Sequence, residues 1–243
     1  VDYYNLFNTP HGIEEKNLVM IMAGGQGKRL RPLTSILPKP LIPVKGKPVI
    51  VHIMNLFKSK NLNNFLISIN KKNKILKSYL SELKINYDIS FIEENSPLGT
   101  AGSLKKISKI KKPFFIVNCD NLFKINPNDL LNFHSENRNS LTLVASIKKL
   151  NIPYGVCQLD RKKSRLLNMD EKPSHSVLAN TGFYICEPHV LNFLPNKKRF
   201  GMNDLIKVLQ SKNKKIGVFP IKDVEWQDTG NWPEYMKTIS KNS

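Results

Sequence analysis

Residues 18–34 read LVMIMAGGQGKRLRPLT, an apolar run followed directly by glycines and basic residues. An uninterrupted apolar run that ends in glycine is typical of a strand buried on both faces in a parallel sheet. The glycines after it predict a sharp turn at the carboxyl edge of that sheet, where open α/β folds bind their ligands. The first predicted element therefore also indicates where a binding site should lie.

Segments with strand-like and helix-like hydrophobic periodicity alternate after this turn. Such alternation predicts helices on both faces of a mostly parallel sheet, because each crossover between parallel strands passes over one face. We therefore predict an α/β fold, a Rossmann-like three-layer α/β/α sandwich with a mixed, mostly parallel sheet. The predicted strands are residues 18–23, 65–69, 89–92, 114–118, 141–147, 156–159, 165–169, 178–186 and 216–219, and the predicted helices are residues 49–58, 74–83, 100–107, 128–136, 203–210 and a last one from 233.

The turn at residues 24–27 combines glycines, which let backbone N–H groups approach phosphate oxygens, with the cations Lys28 and Arg29. A Walker A loop is excluded, because the Gly-Lys pair is followed by arginine where that motif requires serine or threonine. A dinucleotide fingerprint is disfavoured, since Leu30 stands where a small residue is needed for close helix packing. A glycine-rich phosphate loop and a plain connecting loop remain as interpretations.

Three charged residues farther along the chain are candidates for the same site. Lys39 lies between two prolines, so a stiff, extended backbone would aim its ammonium at a fixed target. Asp120 follows the apolar strand 114–118, and Asp228 lies in the turn at residues 226–230. Each carboxylate could pair with a cation, bind a hard metal through oxygen or cap the next helix.

The glycine turn and its flanks resemble the N-terminal signature of the sugar-1-phosphate nucleotidyltransferases, the nucleoside-diphosphate-sugar pyrophosphorylases. The resemblance covers residues 17–240, and its pattern is most similar to the mannose-1-phosphate guanylyltransferase-like members. Further motifs follow in the family's order: PLGTAG at residues 97–102, NCDN at 118–121, YGV at 154–156, EKP at 171–173, NTG at 180–182 and WQDTG at 226–230.

The resemblance implies roles for particular residues, and it implies Mg²⁺ as the cofactor. The implied catalytic residues are Arg29 and Lys39; the nucleotide-binding residues are Ala23, Gly24, Gly25, Gly27, Pro97, Gly99 and Thr100; the residues for the sugar phosphate are Gly155, Glu171, Lys172 and Asn180; and the metal ligands are Asp120 and Asp228. The implied substrates are a nucleoside triphosphate and a sugar 1-phosphate, either a hexose or an amino sugar.

Composition limits the classes of partner. Lys and Arg exceed Asp and Glu by 38 to 19, a formal net charge of +19 that would attract phosphorylated substrates and polyanions alike. The lysines are spread along the chain, and no RNA-binding signature or zinc finger accompanies them, so we expect no nucleic-acid partner. No apolar run is long enough for a membrane span, which predicts a cytoplasmic protein. The three cysteines form no CxxC pair and are expected to be small core residues.

We expect residues 1–16 to be a leader or linker, similar to the junction in relatives that carry upstream CBS domains, and residues 17–243 to be the catalytic domain. The expected reaction is Mg²⁺-assisted transfer of a nucleoside monophosphate to a sugar 1-phosphate, with GTP favoured and UTP, CTP or dTTP as alternatives. A non-catalytic subunit that senses nucleotides is the alternative from another class. A homo-oligomer and a role in making bacterial glycan precursors are further expectations.

Overall fold

The computed structural model describes residues 17–25, 27–71, 73–83, 87–96, 98–107, 110–160, 162–195 and 199–240. The expected leader at residues 1–16 and the expected nucleotide-binding residue Pro97 lie outside this described part. The strands are β1 (Leu18–Ala23), β2 (Pro43–Val44), β3 (Lys47–Pro48), β4 (Asn64–Asn70), β5 (Asp88–Glu94), β6 (Phe114–Asn118), β7 (Asn121–Phe123), β8 (Leu141–Asn151), β9 (Val156–Asp160), β10 (Arg165–Asp170), β11 (Ser174–Cys186), β12 (Ile216–Ile221) and β13 (Trp226–Asp228). The α-helices are α1 (Leu33–Ile36), α2 (Val49–Lys58), α3 (Lys74–Glu82), α4 (Pro127–Glu136), α5 (Met202–Ser211) and α6 (Trp232–Ser240).

A seven-stranded sheet in the order β12-β8-β11-β6-β1-β4-β5 forms the centre of the fold. Strand β1 pairs in parallel with β4 and β6, and β4 pairs in parallel with β5. Strand β11 is antiparallel to both of its neighbours, and β12 is parallel to β8. The sheet is therefore mixed and mostly parallel, and the carboxyl ends of β1, β4, β5 and β6 meet at one edge.

Each face of the sheet is covered by its own hydrophobic core, which gives the three layers. On one face, α2, α3 and α4 pack around aromatic rings, with Phe57 in edge-on contact with Phe65, Phe115 and Phe183. On the other face, α5 and two 3₁₀ turns (Gly102–Lys106 and Pro188–Phe193) bury the apolar side chains of Leu104, Val190 and Leu205. No helix among the described residues combines the length and apolar content needed to cross a membrane.

Strands β8 and β11 continue beyond the sheet and form an arm together with the hairpin β9–β10. Most side chains of the two long strands are exposed along this extension, where Lys148 pairs with Val177 and Asn151 with Ser174. The hairpin pairs β9 and β10 antiparallel, with a register shift between Leu166 and Asn168. We call residues 147–178 the arm.

The predicted fold class is confirmed, whereas several predicted boundaries were wrong. The helix predicted at residues 100–107 is a 3₁₀ turn at Gly102–Lys106, because the chain before it bonds to a distant segment. The last long strand begins at Ser174 instead of residue 178, since its exposed first half is held by pairing with β8 and not by burial. The expectation that all cysteines lie in the core holds for Cys119 and Cys186, but Cys157 is exposed on β9.

Candidate active site

A cleft of about 620 Å³ opens at the carboxyl edge of the sheet. It lies there because β1, β5 and β6 all end at this edge, so the residues that follow them converge from separate parts of the chain. Its lining consists of Met22, Gly24, Gly25, Gly27, Lys28, Arg29, Lys39, Ser68, Glu94, Gly99, Thr100, Asn118, Cys119, Asp120 and Arg199. Eight residues of this lining are among those that the sequence assigned to nucleotide binding, catalysis or metal binding. Ala23 is buried at the end of β1 beneath the cleft.

The glycine turn has the sharp geometry that the sequence predicts. Gly27 adopts a left-handed conformation with φ of 63°, and a Cβ there would lie 2.8 Å from Cγ2 of Thr34. The Thr34 hydroxyl donates to the Gly27 carbonyl oxygen at 2.8 Å, and this hydrogen bond stabilises the turn. Gly25 has no atom within 4 Å of its virtual Cβ, so its backbone faces open space. A short 3₁₀ turn then presents the exposed side chains of Lys28 and Arg29.

Strand pairing brings the two aspartates together although they are far apart in sequence. Strands β7 and β13 form a two-stranded ribbon in which Asp228 lies opposite Asn121, the residue next to Asp120. The Thr229 amide and hydroxyl both donate to the Asp120 carbonyl oxygen, at 2.8 and 2.7 Å. This short ribbon had no periodicity from which the sequence could predict it.

The two carboxylates face the same point in space. A Cβ built on Gly230 would lie 2.7 Å from Oδ2 of Asp120, 2.8 Å from Oδ1 of Asp228 and 3.3 Å from Nη2 of Arg29. The Gly230 amide also donates to Oδ1 of Asp228 at 2.7 Å. Two carboxylates and one guanidinium therefore converge on one small volume beside the glycine turn.

Neither aspartate is a helix cap. Asp120 is followed by strand β7, and the amide of Glu234 in the last helix bonds the side chain of Asn231, at 3.2 Å, and not Asp228. The capping interpretation of both carboxylates was therefore wrong. Both carboxylates lie instead beside charged groups at the cleft.

Lys39 forms an ion pair with Oδ2 of Asp120. The side chains are 11% and 14% exposed, so the pair is shielded from solvent and holds the ammonium at the carboxylates. The expected extended backbone was wrong, because Lys39 begins a 3₁₀ turn over Lys39–Leu41. Pro38 and Pro40 still fix the direction of the side chain.

The electrostatics at Asp228 reflect crowding of like charges in a partly buried place. Burial raises the pKa of the Asp228 carboxyl above its usual value, and the Asp120 carboxylate raises this pKa further. The Gly230 hydrogen bond and the charges of Lys39 and Arg29 oppose this increase. A divalent cation between the carboxylates would relieve the same repulsion.

The donor set suits Mg²⁺. This ion prefers oxygen ligands and is commonly held by one or two carboxylates together with substrate phosphates. Two aspartate oxygens converge beside a glycine turn, and no group of three or more metal-binding side chains occurs in the described part of the chain. The residues present therefore fit a metal that is completed by phosphate oxygens better than a fully protein-coordinated ion.

Glu94 is a cleft residue that the sequence reasoning missed. It ends β5, is only 4% exposed, and its carboxylate lies against Gly24, where a virtual Cβ would be 3.1 Å from Oε1. The Leu98 amide donates to Oε2 at 3.2 Å, and no ion pair joins Glu94 to another described residue. An acidic residue at the end of a predicted parallel strand was the available signal, the same one that identified Asp120.

Residues 98–102, which we call the base loop, are attached to residues 199–202, which we call the strap. The Phe200 amide donates to the Leu98 carbonyl at 2.8 Å, and the Ala101 amide donates to the Phe200 carbonyl at 3.0 Å. The Thr100 hydroxyl accepts from the Met202 amide at 3.0 Å, so it fixes the start of α5 while still lining the cleft. Gly99 has φ of 85°, and a Cβ there would lie 2.5 Å from the Phe200 carbonyl oxygen.

Three of the residues assigned to the sugar phosphate, Gly155, Glu171 and Lys172, lie on the arm, and none of the four assigned residues lines the cleft. A Cβ on Gly155 would be 3.1 Å from Oε2 of Glu171, and the Lys172 amide donates to the Tyr154 carbonyl at 3.3 Å. Lys172 adopts the left-handed region with φ of 47°, and its side chain is 69% exposed.

Asn180 reaches the cleft indirectly. Its amide donates to the Tyr184 hydroxyl at 2.8 Å, and its oxygen accepts from the Gly182 amide at 3.1 Å. Gly182 packs on Asn118, which lines the cleft; a Cβ on Gly182 would lie 2.2 Å from Nδ2 of Asn118. Asn180 thus shapes the boundary between the cleft and the arm.

Cys119 lies in the cleft lining beside Asp120. Burial, together with the negative charge of Asp120, raises the pKa of its thiol to about 12. The thiol therefore stays protonated near neutral pH and is not an activated nucleophile. Transfer chemistry in this cleft has to use other groups.

Comparison with known proteins agrees with this arrangement. The family model described as "Nucleotidyl transferase" matches residues 18–242. The mannose-1-phosphate guanyltransferase of Pichia angusta is 31% identical over 226 residues, which cover 89% of this chain and 62% of that protein. The UTP–glucose-1-phosphate uridylyltransferase of Synechocystis sp. is 29% identical over 241 residues, which cover 90% and 62%.

Solved structures show the same fold. HddC from Yersinia pseudotuberculosis, complexed with GMP-PN, superimposes with a TM-score of 0.70 at 22% identity, covering 93% of this chain and 100% of that chain. The chain spans only 62% of the length of the curated relatives described above. Because the family model matches nearly all of the chain, the protein belongs to the nucleotidyl transferase family.

Proposed function

We propose that this protein transfers a nucleoside monophosphate from GTP to a sugar 1-phosphate, giving a nucleoside-diphosphate sugar and pyrophosphate. The observation that carries this proposal is the convergence of Asp120, Asp228 and Arg29 on one point beside the glycine turn. Such a site combines ligands for a hard cation with a backbone turn suited to phosphates. The printed names of the curated relatives, a guanyltransferase and a uridylyltransferase, describe the same kind of reaction.

The reaction makes few demands on proton transfer. A sugar 1-phosphate is already ionised, so its oxygen can attack the α-phosphate without a general base. The main obstacle is repulsion between two phosphate anions, which positioning and positive charge overcome. When bound, Mg²⁺ would supply positive charge at the nucleotide phosphates, held there by Asp120 and Asp228.

The residues of the chain supply the rest of the electrostatic stabilisation. Backbone N–H groups of Gly24, Gly25 and Gly27 would hold the triphosphate, and the exposed guanidinium of Arg29 would stabilise charge on the departing pyrophosphate. Lys39, already held at Asp120, places a second cation where negative charge develops. In-line attack then expels pyrophosphate.

Glu94 supports GTP as the nucleotide. Its carboxylate is buried and its Oε1 lies beside Gly24 at the cleft, without a cation partner among the described residues. An ionised carboxylate only accepts hydrogen bonds, and guanine presents two adjacent donors, N1–H and the 2-amino group. Uracil and thymine present one donor flanked by carbonyl oxygens, which a carboxylate repels. Of the bases, guanine therefore complements this group best.

The arm would hold the sugar 1-phosphate. Gly155 and Glu171 lie close together, and Lys172 follows directly in a left-handed conformation. A carboxylate can accept bonds from sugar hydroxyls, and the adjacent ammonium can contact the phosphate. A hexose and an amino sugar would both satisfy these groups.

Pyrophosphate release tests the proposal. Each of the common nucleoside triphosphates would be incubated with hexose 1-phosphates and amino-sugar 1-phosphates in the presence of Mg²⁺. We expect release with GTP and one sugar class, and loss of release when the metal is chelated. Absence of release with every pair would contradict the proposed activity, and faster release with UTP would contradict the choice of base.

A further inference from the structure

Arg199 is a charged residue of the cleft that neither the sequence motifs nor the proposed chemistry uses. It lies directly before Phe200 in the strap, and its side chain lines the cleft. Among the described residues no carboxylate forms an ion pair with it. An arginine in a ligand cleft without an anionic partner is available to bind an acceptor on the ligand.

The hydrogen bonds of the strap attach the segment that begins with Arg199 to Leu98, the residue whose amide bonds Glu94. The carbonyl of Leu98 accepts from the Phe200 amide, while the amide of the same Leu98 donates to Glu94. Leu98 therefore connects the two residues: its carbonyl bonds the segment that carries Arg199, and its amide bonds Glu94. The other cations of the cleft, Lys28, Arg29 and Lys39, belong to the glycine turn and the aspartates.

A carboxylate and an exposed guanidinium that line one cleft and form no ion pair with each other can offer an acceptor group and a donor group to a single ligand. Guanine carries both complements: N1–H and the 2-amino group as donors, and O6 and N7 as acceptors that suit the fork of an arginine. Adenine has N7 but places an amino group where O6 would be, so a guanidinium cannot bond it at both positions.

We propose that Arg199 is a base-contacting residue that donates to O6 and N7 of guanine while Glu94 accepts from the opposite donors. This inference rests on the proposed use of GTP and adds a second determinant of base choice. The backbone hydrogen bonds of Phe200 attach the strap to the base loop, so the backbone segments that carry the two determinants are joined through Leu98. Recognition of both edges of the base would exclude adenine as well as the pyrimidines.

Equilibrium binding of three nucleotides tests the inference without any sugar phosphate. GTP, ITP and 7-deaza-GTP would be titrated calorimetrically with Mg²⁺ into the unaltered protein, Arg199→Ala, Glu94→Gln and the control Arg165→Ala, an exposed arginine on β10 outside the cleft lining. ITP lacks the 2-amino group, and 7-deaza-GTP lacks N7. We expect Arg199→Ala to weaken GTP binding about tenfold and to bind 7-deaza-GTP as well as GTP. Arg165→Ala should bind as the unaltered protein does.

The relative affinities for the three nucleotides distinguish the outcomes that would contradict each part of the proposal. Equal weakening of GTP and 7-deaza-GTP in Arg199→Ala would indicate a phosphate or stacking contact and would overturn the inference, as would unchanged GTP binding. If the unaltered protein does not prefer GTP to ITP, the proposed contact of Glu94 with the 2-amino group is wrong, whatever Arg199 does. Failure of the choice of base itself would appear as faster pyrophosphate release with UTP. Circular dichroism would check the fold, and Arg199→Lys, which keeps the charge but loses the fork, should also lose discrimination against 7-deaza-GTP.

Discussion

Asp228 is the residue whose environment is least favourable without a cation, because it is partly buried and faces Asp120. Asp228→Asn keeps an oxygen that can accept the Gly230 amide but removes the negative charge. We expect turnover to fall by at least about a hundredfold and the Mg²⁺ concentration for half-maximal rate to rise. Steady-state kinetics across a range of Mg²⁺ concentrations would measure both effects.

Asp223→Asn is the matched control for this change. Asp223 precedes the same ribbon by a few residues, is exposed and pairs with Lys148, so its charge contributes little to the site. We expect it to retain normal turnover and metal dependence. Similar losses in both variants would mean that general charge, and not metal binding, explains the effect.

Single residues also show how much of the candidate site could be predicted from the sequence. Arg29, Lys39 and Asp120 line one cleft, as expected from glycines and carboxylates placed after apolar strands. Glu94 and Arg199 were missed. Glu94 carried the same signal as Asp120, an acidic residue at the end of a predicted strand, whereas an arginine in a loop looks ordinary. The contact of Glu94 with Gly24 and the bond of the neighbouring Phe200 to Leu98 show where the two residues lie, and no local pattern encodes them.

At the scale of elements, the base loop depends on the strap for its shape. Gly99 combines φ of 85° with a virtual Cβ 2.5 Å from the Phe200 carbonyl oxygen, so alanine there would strain the backbone and push the strap away. We expect Gly99→Ala to lower the free energy of unfolding by about 1–3 kcal/mol and to weaken GTP binding. Urea denaturation and calorimetric titration would measure the two effects.

Gly201→Ala provides the control within the same pair of segments. Gly201 has φ of −97°, and the nearest atom to its virtual Cβ, Oδ2 of Asp204, is 3.4 Å away, an ordinary contact. Because Gly201 is the N-cap residue of α5, where alanine is less favourable than glycine, we expect a smaller loss of stability than in Gly99→Ala and no change in GTP binding. If it behaved like Gly99→Ala, general loss of loop flexibility would replace the specific clash as the explanation.

The same two segments explain why one predicted element was wrong. Residues 100–107 carry the hydrophobic pattern of a helix. The Ala101 amide, however, donates to the Phe200 carbonyl, and only a 3₁₀ turn at Gly102–Lys106 follows. Strands buried on both faces, such as β1 and β6, could be predicted because a continuous apolar run is a local pattern. The ribbon β7–β13 could not, since three-residue strands are stabilised by partners about a hundred residues away.

At the scale of the whole molecule, the free energy of unfolding can depend on pH through a buried histidine that lies outside the cleft. His134, near the end of α4, is fully buried beside the amino end of β8 and lies outside the cleft lining. Its Nδ1 lies 2.8 Å from the Thr142 hydroxyl, and its Nε2 lies 3.3 Å from Oε1 of Glu187. Burial lowers the pKa of the imidazole below 6.5, although the Glu187 carboxylate opposes this.

A lowered histidine pKa means that the unfolded chain binds a proton that the folded protein excludes. The contribution of His134 to the free energy of unfolding should therefore be complete above about pH 6.5 and be lost as pH falls toward the folded pKa, by at most about 1.4 kcal/mol per pH unit. Denaturation between pH 5 and 8 would measure this slope, and His134→Gln should reduce it, while the exposed His175→Gln should not. An unchanged slope in His134→Gln would contradict this assignment. Asp228 could not explain the loss instead, because its raised pKa makes the folded protein bind a proton more tightly than the unfolded chain, which favours the fold as pH falls.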